Sequence, residues 1–237
     1  MVEFLTTGVL TFNKAAAIDA FLVGGGGSGA KTGYSGGAGG AGGYTKTLSS
    51  ISVAAKTAYQ IVIGAGGAVA LNGEAGGDTT AFGVTAKGGS GPKDTALGNY
   101  TTGGAGGSGG AGCASNENSV YKNGARGGSD GSKGSQVMSV QPGGAGQGTT
   151  TREFGETTGK LYAGGGGSGS ATVSGSTGTA GVGGEGGGGN GGTTGNGSAG
   201  AANTGGGGGG AGSTATPLRG GAGGSGIVCI RLHKESA

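Results

Sequence analysis

Apolar residues in this chain collect in a few short stretches separated by glycine. "VLTF" (9–12) and "AAAIDAFLV" (15–23) read as strands near the start, and "YTKTLSSISV" (44–53) alternates in part. "AYQIVIGAGG" (58–67) runs from a strand into a glycine turn, and "DTTAFGVTAKGG" (78–89) gives another strand broken at Gly83. "KLYAGGGG" (160–167) and "GIVCIRL" (226–232) complete the set. β-Branched and aromatic residues gather in these stretches, which predicts strands from both ends of the chain pairing into one small β-scaffold. The scaffold takes about residues 1–87 and 226–234, and residues 88–225 form a glycine-rich excursion within a single domain.

Composition decides what the excursion is. Glycine accounts for 73 of 237 residues, with only 3 prolines and no tryptophan. Collagen needs a strict G-X-Y period and abundant proline, and both are missing. A flexible linker would fit the glycine content but not the strands at either end. Several tracts instead have a period of three. "GGAGGAGGY" (36–44) carries side chains only at Ala38, Ala41 and Tyr44, and "GGAGGSGGAG" (103–112) only at Ala105, Ser108 and Ala111. "GGAGGSG" (220–226) repeats the pattern.

Polyproline II has three residues per turn, so such a repeat lines its side chains along one edge and leaves two edges bare. Bare edges let backbones approach and pair, and ten residues would make a rod of about 31 Å. In this register Gly107→Val is disruptive and Ser108→Ala nearly silent. Ordering a glycine backbone costs roughly 1–2 kcal/mol per residue, and a net hydrogen bond returns about 0.5–1.5 kcal/mol. The rods therefore depend on the apolar scaffold.

Catalytic motifs fail on context. "GGGGSG" (24–29) within "AFLVGGGGSG" satisfies G-x-G-x-x-G, but no helix can follow in "AKTGYSGGAGGAGGY" and no acidic residue occurs between Asp19 and Glu74. G-x-S-x-G matches at Ser35, Ser108 and Ser129 are what abundant glycine and serine produce by chance. His233 is the one histidine, near the C-terminus, and no Cys/His cluster suits a metal. No catalytic residue, metal or cofactor is expected, and the protein reads as a non-enzyme. Cys113 and Cys229 form no C-x-x-C, and whether they pair is open. The net charge of +3, without a basic run, gives no case for nucleic acid. No stretch of about 18 apolar residues spans a bilayer, and no basic, apolar leader opens the chain.

The order "LTF…FLVGGGGSG…GGAGGYTKT…YQIVIGAGG…GGDTTAFG…AKGGSG…LYAGGGGSG…GGSGIVCIR" resembles the glycine-rich domain of tailed-phage tail-fibre and tail-tip proteins. It is also similar to polyglycine-II adhesins at fibre tips. The resemblance implies an all-β fold, a small tumour-necrosis-factor-like β-sandwich with a polyglycine-II bundle inserted between its strands. It implies a virion-surface protein, assembled in the host cytoplasm, whose loops contact a bacterial receptor. Its partners would be a surface polysaccharide or outer surface protein and other virion tail or head proteins, and a homotrimer would suit a fibre. Unlike the tail-fibre pattern, the chain starts almost directly at the scaffold, which also suits a separate subunit or a head decoration.

Side-chain-bearing segments interrupt the glycine tracts at 91–102, 113–126, 135–154 and 213–219. Loops carried on rigid supports are where binding residues collect. Tyr100, Tyr121 and Phe154 are candidates to stack on sugar rings or fill a receptor groove, and Asn99, Asn116, Arg126 and Arg152 to add hydrogen bonds. The competing readings are a virion structural or head-decoration protein contacting other subunits and an ice-binding or matrix protein. The charged, irregular loops speak against ice.

Overall fold

A computed structural model describes the chain except residues 32–35, 95–100, 115–122, 138–141, 174, 214–217 and 234–237. The fold is all-β. The strands are β1 (Val2–Phe4), β2 (Gly8–Thr11), β3 (Ala16–Val23), β4 (Thr45–Val53), β5 (Ala58–Ile61), β6 (Thr79–Ala81) and β7 (Val84–Ala86). Two-residue strands follow as β8 (Lys93–Asp94), β9 (Thr101–Thr102), β10 (Thr172–Val173) and β11 (Ser176–Thr177), and β12 is Ile227–Leu232.

β3 explains the scaffold. Successive side chains of a strand point to opposite faces, and both faces of β3 are apolar. Ile18, Ala20 and Leu22 face one way, into a core shared with Val53, Ile61, Val228 and Ile230. Phe21 and Val23 face the other, with Tyr162, Ile227 and Cys229. The central position of β3 follows, in an antiparallel sheet of order β1-β12-β3-β4. A second layer covers the first core: β2 pairs with β5, and the bridge Val62↔Thr80 joins this pair to the β6–β7 hairpin. Phe82 and Gly83 both take positive φ, 52° and 75°, as a two-residue hairpin turn of this hand requires. The expected break at Gly83 is this turn. "KLYAGGGG" forms no strand, only a bridge between Leu161 and Arg152, because the chain beyond it enters the glycine bundle.

The bundle shows its three-residue period in its hydrogen bonds. Along 24–31, the N–H groups of Gly24, Gly27 and Ala30 donate to Tyr44, Ala41 and Ala38. Those of Gly25, Ser28 and Lys31 donate to Gly77, Glu74 and Leu71, while Gly26 and Gly29 donate to Gly224 and Gly221. One rod thus serves three neighbours in rotation, as three residues per turn dictate. The 36–44 rod lies deeper. It donates to rods around 205–211, 108–111 and 87–90, and it accepts from 24–30, 104–107 and 166–169. A backbone enclosed in this way leaves room for no side chain on the shared edges. A Cβ built on Gly36, Gly39 or Gly42 would strike the carbonyls of Gly169, Gly166 or Ala163. One on Gly37, Gly40 or Gly43 would strike those of Ala30, Gly27 or Gly24.

Three details depart from the expected bundle. Glycine tracts 24–43 and 64–77 belong to it, so it is not confined to 88–225. The 103–112 tract is not one straight rod: it bends at Gly106–Ser108 and returns, so that Gly110 N–H donates to Gly104 C=O at 2.9 Å. Ser108, expected to be replaceable, is fully buried at this bend and its Oγ accepts the Gly131 N–H at 3.1 Å.

Candidate functional site

Rod polarity decides where the turns fall. Rod 24–30 leaves the end of β3, and 37–44 returns antiparallel to it into β4. Rod 87–90 runs antiparallel to 41–44, because Ala41 and Tyr44 donate to Ser90 and Lys87, so it leads away again. The same test carries through the chain: 108–113 leads away, 123–128 returns, 132–135 leads away and 142–147 returns. Rods 163–170, 187–192 and 205–213 lead away, and 178–184, 195–200 and 219–226 return. Every connection reached by an outgoing rod therefore lies at one end of the bundle, opposite the β-scaffold. This distal end gathers the described parts of 31–36, 68–73, 91–102, 113–123, 135–142, 170–178, 193–196 and 213–219. Two of these segments are stiffened by short ladders, β8–β9 and β10–β11.

On the bundle's flank toward this end, Ser90, Lys93, Thr102 and Pro142 line a cleft of about 240 Å³ floored by glycine backbone. Arg126 is exposed on a returning rod whose carbonyl accepts the Ser135 N–H. Asn99, Tyr100, Asn116 and Tyr121 lie outside the described residues. The turn at 68–73, which the four quoted segments omit, presents Val69 at 40 % and Leu71 at 63 % exposure. Its signal in the sequence is "AVALN", an apolar interruption of a glycine tract.

Arg152 and Phe154 belong to the other end, which corrects their expected place beside Arg126. Rod 142–147 returns the chain to the scaffold, where the Gln147 amide bonds Thr45. Phe154 is 9 % exposed, with its ring 6.0 Å from Phe21, and the Arg231 guanidinium lies 4.0 Å over its face. A ring so covered has no face left for a sugar. Arg152 pairs with Asp130 at 3.3 Å and donates to the Gly159 carbonyl.

The scaffold end also holds the most connected charges. Asp19 sits at the bulge in the β3–β4 pairing. It accepts the Ser50 N–H, Arg231 at 3.2 Å and His233 at 2.6 Å. Burial alone would raise the Asp19 carboxyl, but these three partners outweigh it and hold it below the usual carboxylate range. Arg231 also reaches Glu156 at 2.7 Å. His233 thus holds a carboxylate, and among the described residues no serine hydroxyl or cysteine thiol joins the network.

Among the described residues, Glu3, Glu153 and Cys229 bring metal-ligand atoms within 4.8 Å of one another. Burial, then the neighbouring Glu153 charge, pushes the Cys229 thiol up to about 12, so without a metal it is protonated at neutral pH. Tyr162 O–H donates to Glu153, closing the group as a hydrogen-bonded lid over the second core. Cys113 and Cys229 are both buried, at opposite ends of the molecule. A second cleft, of about 420 Å³, opens between the scaffold layers beside Ile51, Tyr59 and Phe82, far from the distal turns.

No curated protein matches the chain. The family model of the glycine-rich domain matches residues 6–233, from the turn before β2 through β12, taking in both scaffold and bundle. The chain belongs to the glycine-rich domain family.

Proposed function

We propose that the protein is a phage tail-fibre or tail-tip component that binds a bacterial surface receptor through the distal turns of its polyglycine bundle. The observation that supports this is the segregation of the two ends. The described parts of eight connections collect opposite the scaffold, on rods whose backbones are locked to several neighbours each. Rigid rods hold the turns in place, so binding loses little entropy to ordering the support. In this reading the β-scaffold, where β1 and β12 lie side by side, joins the rest of a particle.

The test is binding of fluorescently labelled protein to a panel of bacterial strains, with intact phage as competitor. Saturable, strain-restricted binding that phage displaces is the expected result. Absence of binding to every strain, the phage's host included, would contradict the proposal and turn attention to a structural role among virion subunits.

A further inference from the structure

Charge is divided unevenly between the two ends. At the scaffold end positive and negative groups are interleaved: Arg152 pairs with Asp130 and Arg231 with both Asp19 and Glu156, while Lys14, Lys46, Lys56, Lys87 and Lys160 stand among Glu3, Asp78, Glu153 and Glu185 without an ion pair among the described residues. Away from the scaffold stand Lys31, Lys93 and Arg219 at the distal end and Arg126 and Lys133 partway along their rods. Four of these five are exposed, Lys31 is half-buried, and none makes an ion pair among the described residues. The acidic residues of the described distal segments are Glu74 and Asp94. Five bases against two acids give +3, which is the formal net charge of the whole chain, and the remaining nine basic and nine acidic residues cancel. A net charge too small to signify as a global figure is therefore a concentrated one.

Unpaired cations away from the scaffold have a physical consequence. Asp94 follows Lys93 directly, but the other four are set apart on uncharged backbone and make no ion pair among the described residues. Summed over one surface, such charges attract a polyanion and raise its association rate. Spacing matters as well: the cations are carried on separate rods, some at the distal end and some along the flank, which fits a branched or extended chain of repeated anions better than a single phosphate. Resting on the proposal that the distal end meets the bacterial surface, we infer that its ligand is an anionic cell-surface glycan, one bearing phosphate or carboxylate groups along its length.

The test uses the full chain and defined probes. Binding would be measured to immobilised polygalacturonate, to a glycerol-phosphate polymer and to uncharged dextran, each across a range of salt. Affinity for at least one polyanion, none for dextran, and a steady fall with salt are expected. Arg126→Ala, Lys133→Ala and Arg219→Ala should each weaken that binding about two- to fivefold, the range for one exposed charge contact. Lys14→Ala and Lys56→Ala at the scaffold end should leave it unchanged. Preference between the two polymers separates carboxylate from phosphate recognition.

Equal loss from the scaffold variants, or equally tight binding to duplex DNA or phosphatidylglycerol vesicles, would reduce the effect to general attraction and overturn the glycan assignment. Strain-restricted cell binding that ignores salt and the Arg126, Lys133 and Arg219 substitutions would overturn the assignment while leaving the distal receptor reading intact. Loss of cell binding altogether would remove that reading itself.

Discussion

At the scale of single residues, the bundle distinguishes glycines that a side chain would destroy from those it would not. Gly39 has the Gly166 carbonyl where its Cβ would be, whereas Gly195 faces open space. Gly39→Ala must push two hydrogen-bonded backbones apart and should cost at least about 1–3 kcal/mol, the range for forcing extra atoms into a packed interior. Gly195→Ala should be neutral or stabilising by about 0.4–1 kcal/mol, because it restricts only the unfolded chain. Thermal melts of the two variants check this contrast, and similar losses in both would deny the close rod contacts. Ser108→Ala removes the acceptor for a buried Gly131 N–H, so a loss of about 1–3 kcal/mol is expected where the period alone predicts silence. The sequence marks Ser108 as a position that tolerates a side chain; it does not reveal that the hydroxyl there closes a bend.

At the scale of elements, strands were legible where β-branched and aromatic residues were dense. β3 and β12 stand out because both their faces are buried. β1 escapes notice, being three residues whose side chains are largely exposed. The rods were legible as a period of three but not as to direction, since a glycine tract reads the same in a straight rod and in one that folds back at Gly106–Ser108. That is also why segment 135–154 is divided: its first part lies at the distal end, and its last part is drawn to the scaffold by the burial of Phe154.

Asp19 ties β3, β4 and β12 together, and its titration is an element-scale test. Its carboxyl is depressed below 3.8, so its stabilisation is fully present above that value and is lost as pH falls through the lower folded one. Melting temperature should hold steady from neutral pH down to about 5 and fall below about 4. Asp19→Asn should cost about 1.5–3 kcal/mol at neutral pH and flatten that acid limb. A variant with an unaltered acid limb would place the acid sensitivity elsewhere.

At the scale of the whole molecule, side chains mark the limits of the glycine lattice. Most rod glycines have neighbouring backbone where a side chain would go, Gly187 meeting the Thr204 side chain and Gly195 open space instead. The outermost rods turn side chains outward, among them Thr179, Val182, Asn190 and Ala199. A residue bearing Cβ cannot take a further rod at that edge, so the lattice stops at the surface of one chain, much as guarded edges stop a β-sheet from growing. Concentrated solutions should accordingly show no open-ended lateral assembly in sedimentation, and fibre growth would contradict this.

The claim that the distal end meets the receptor is tested most directly by blocking each end in turn. Both native cysteines are buried, so one introduced thiol can carry a polyethylene glycol chain selectively in the folded protein. Thr194→Cys places it at a distal turn, and Lys14→Cys places it on the scaffold. Adhesion to host cells should be abolished by the chain at residue 194 and unaffected by the chain at residue 14. Adhesion that survives the distal block and is lost with the scaffold block would contradict the account.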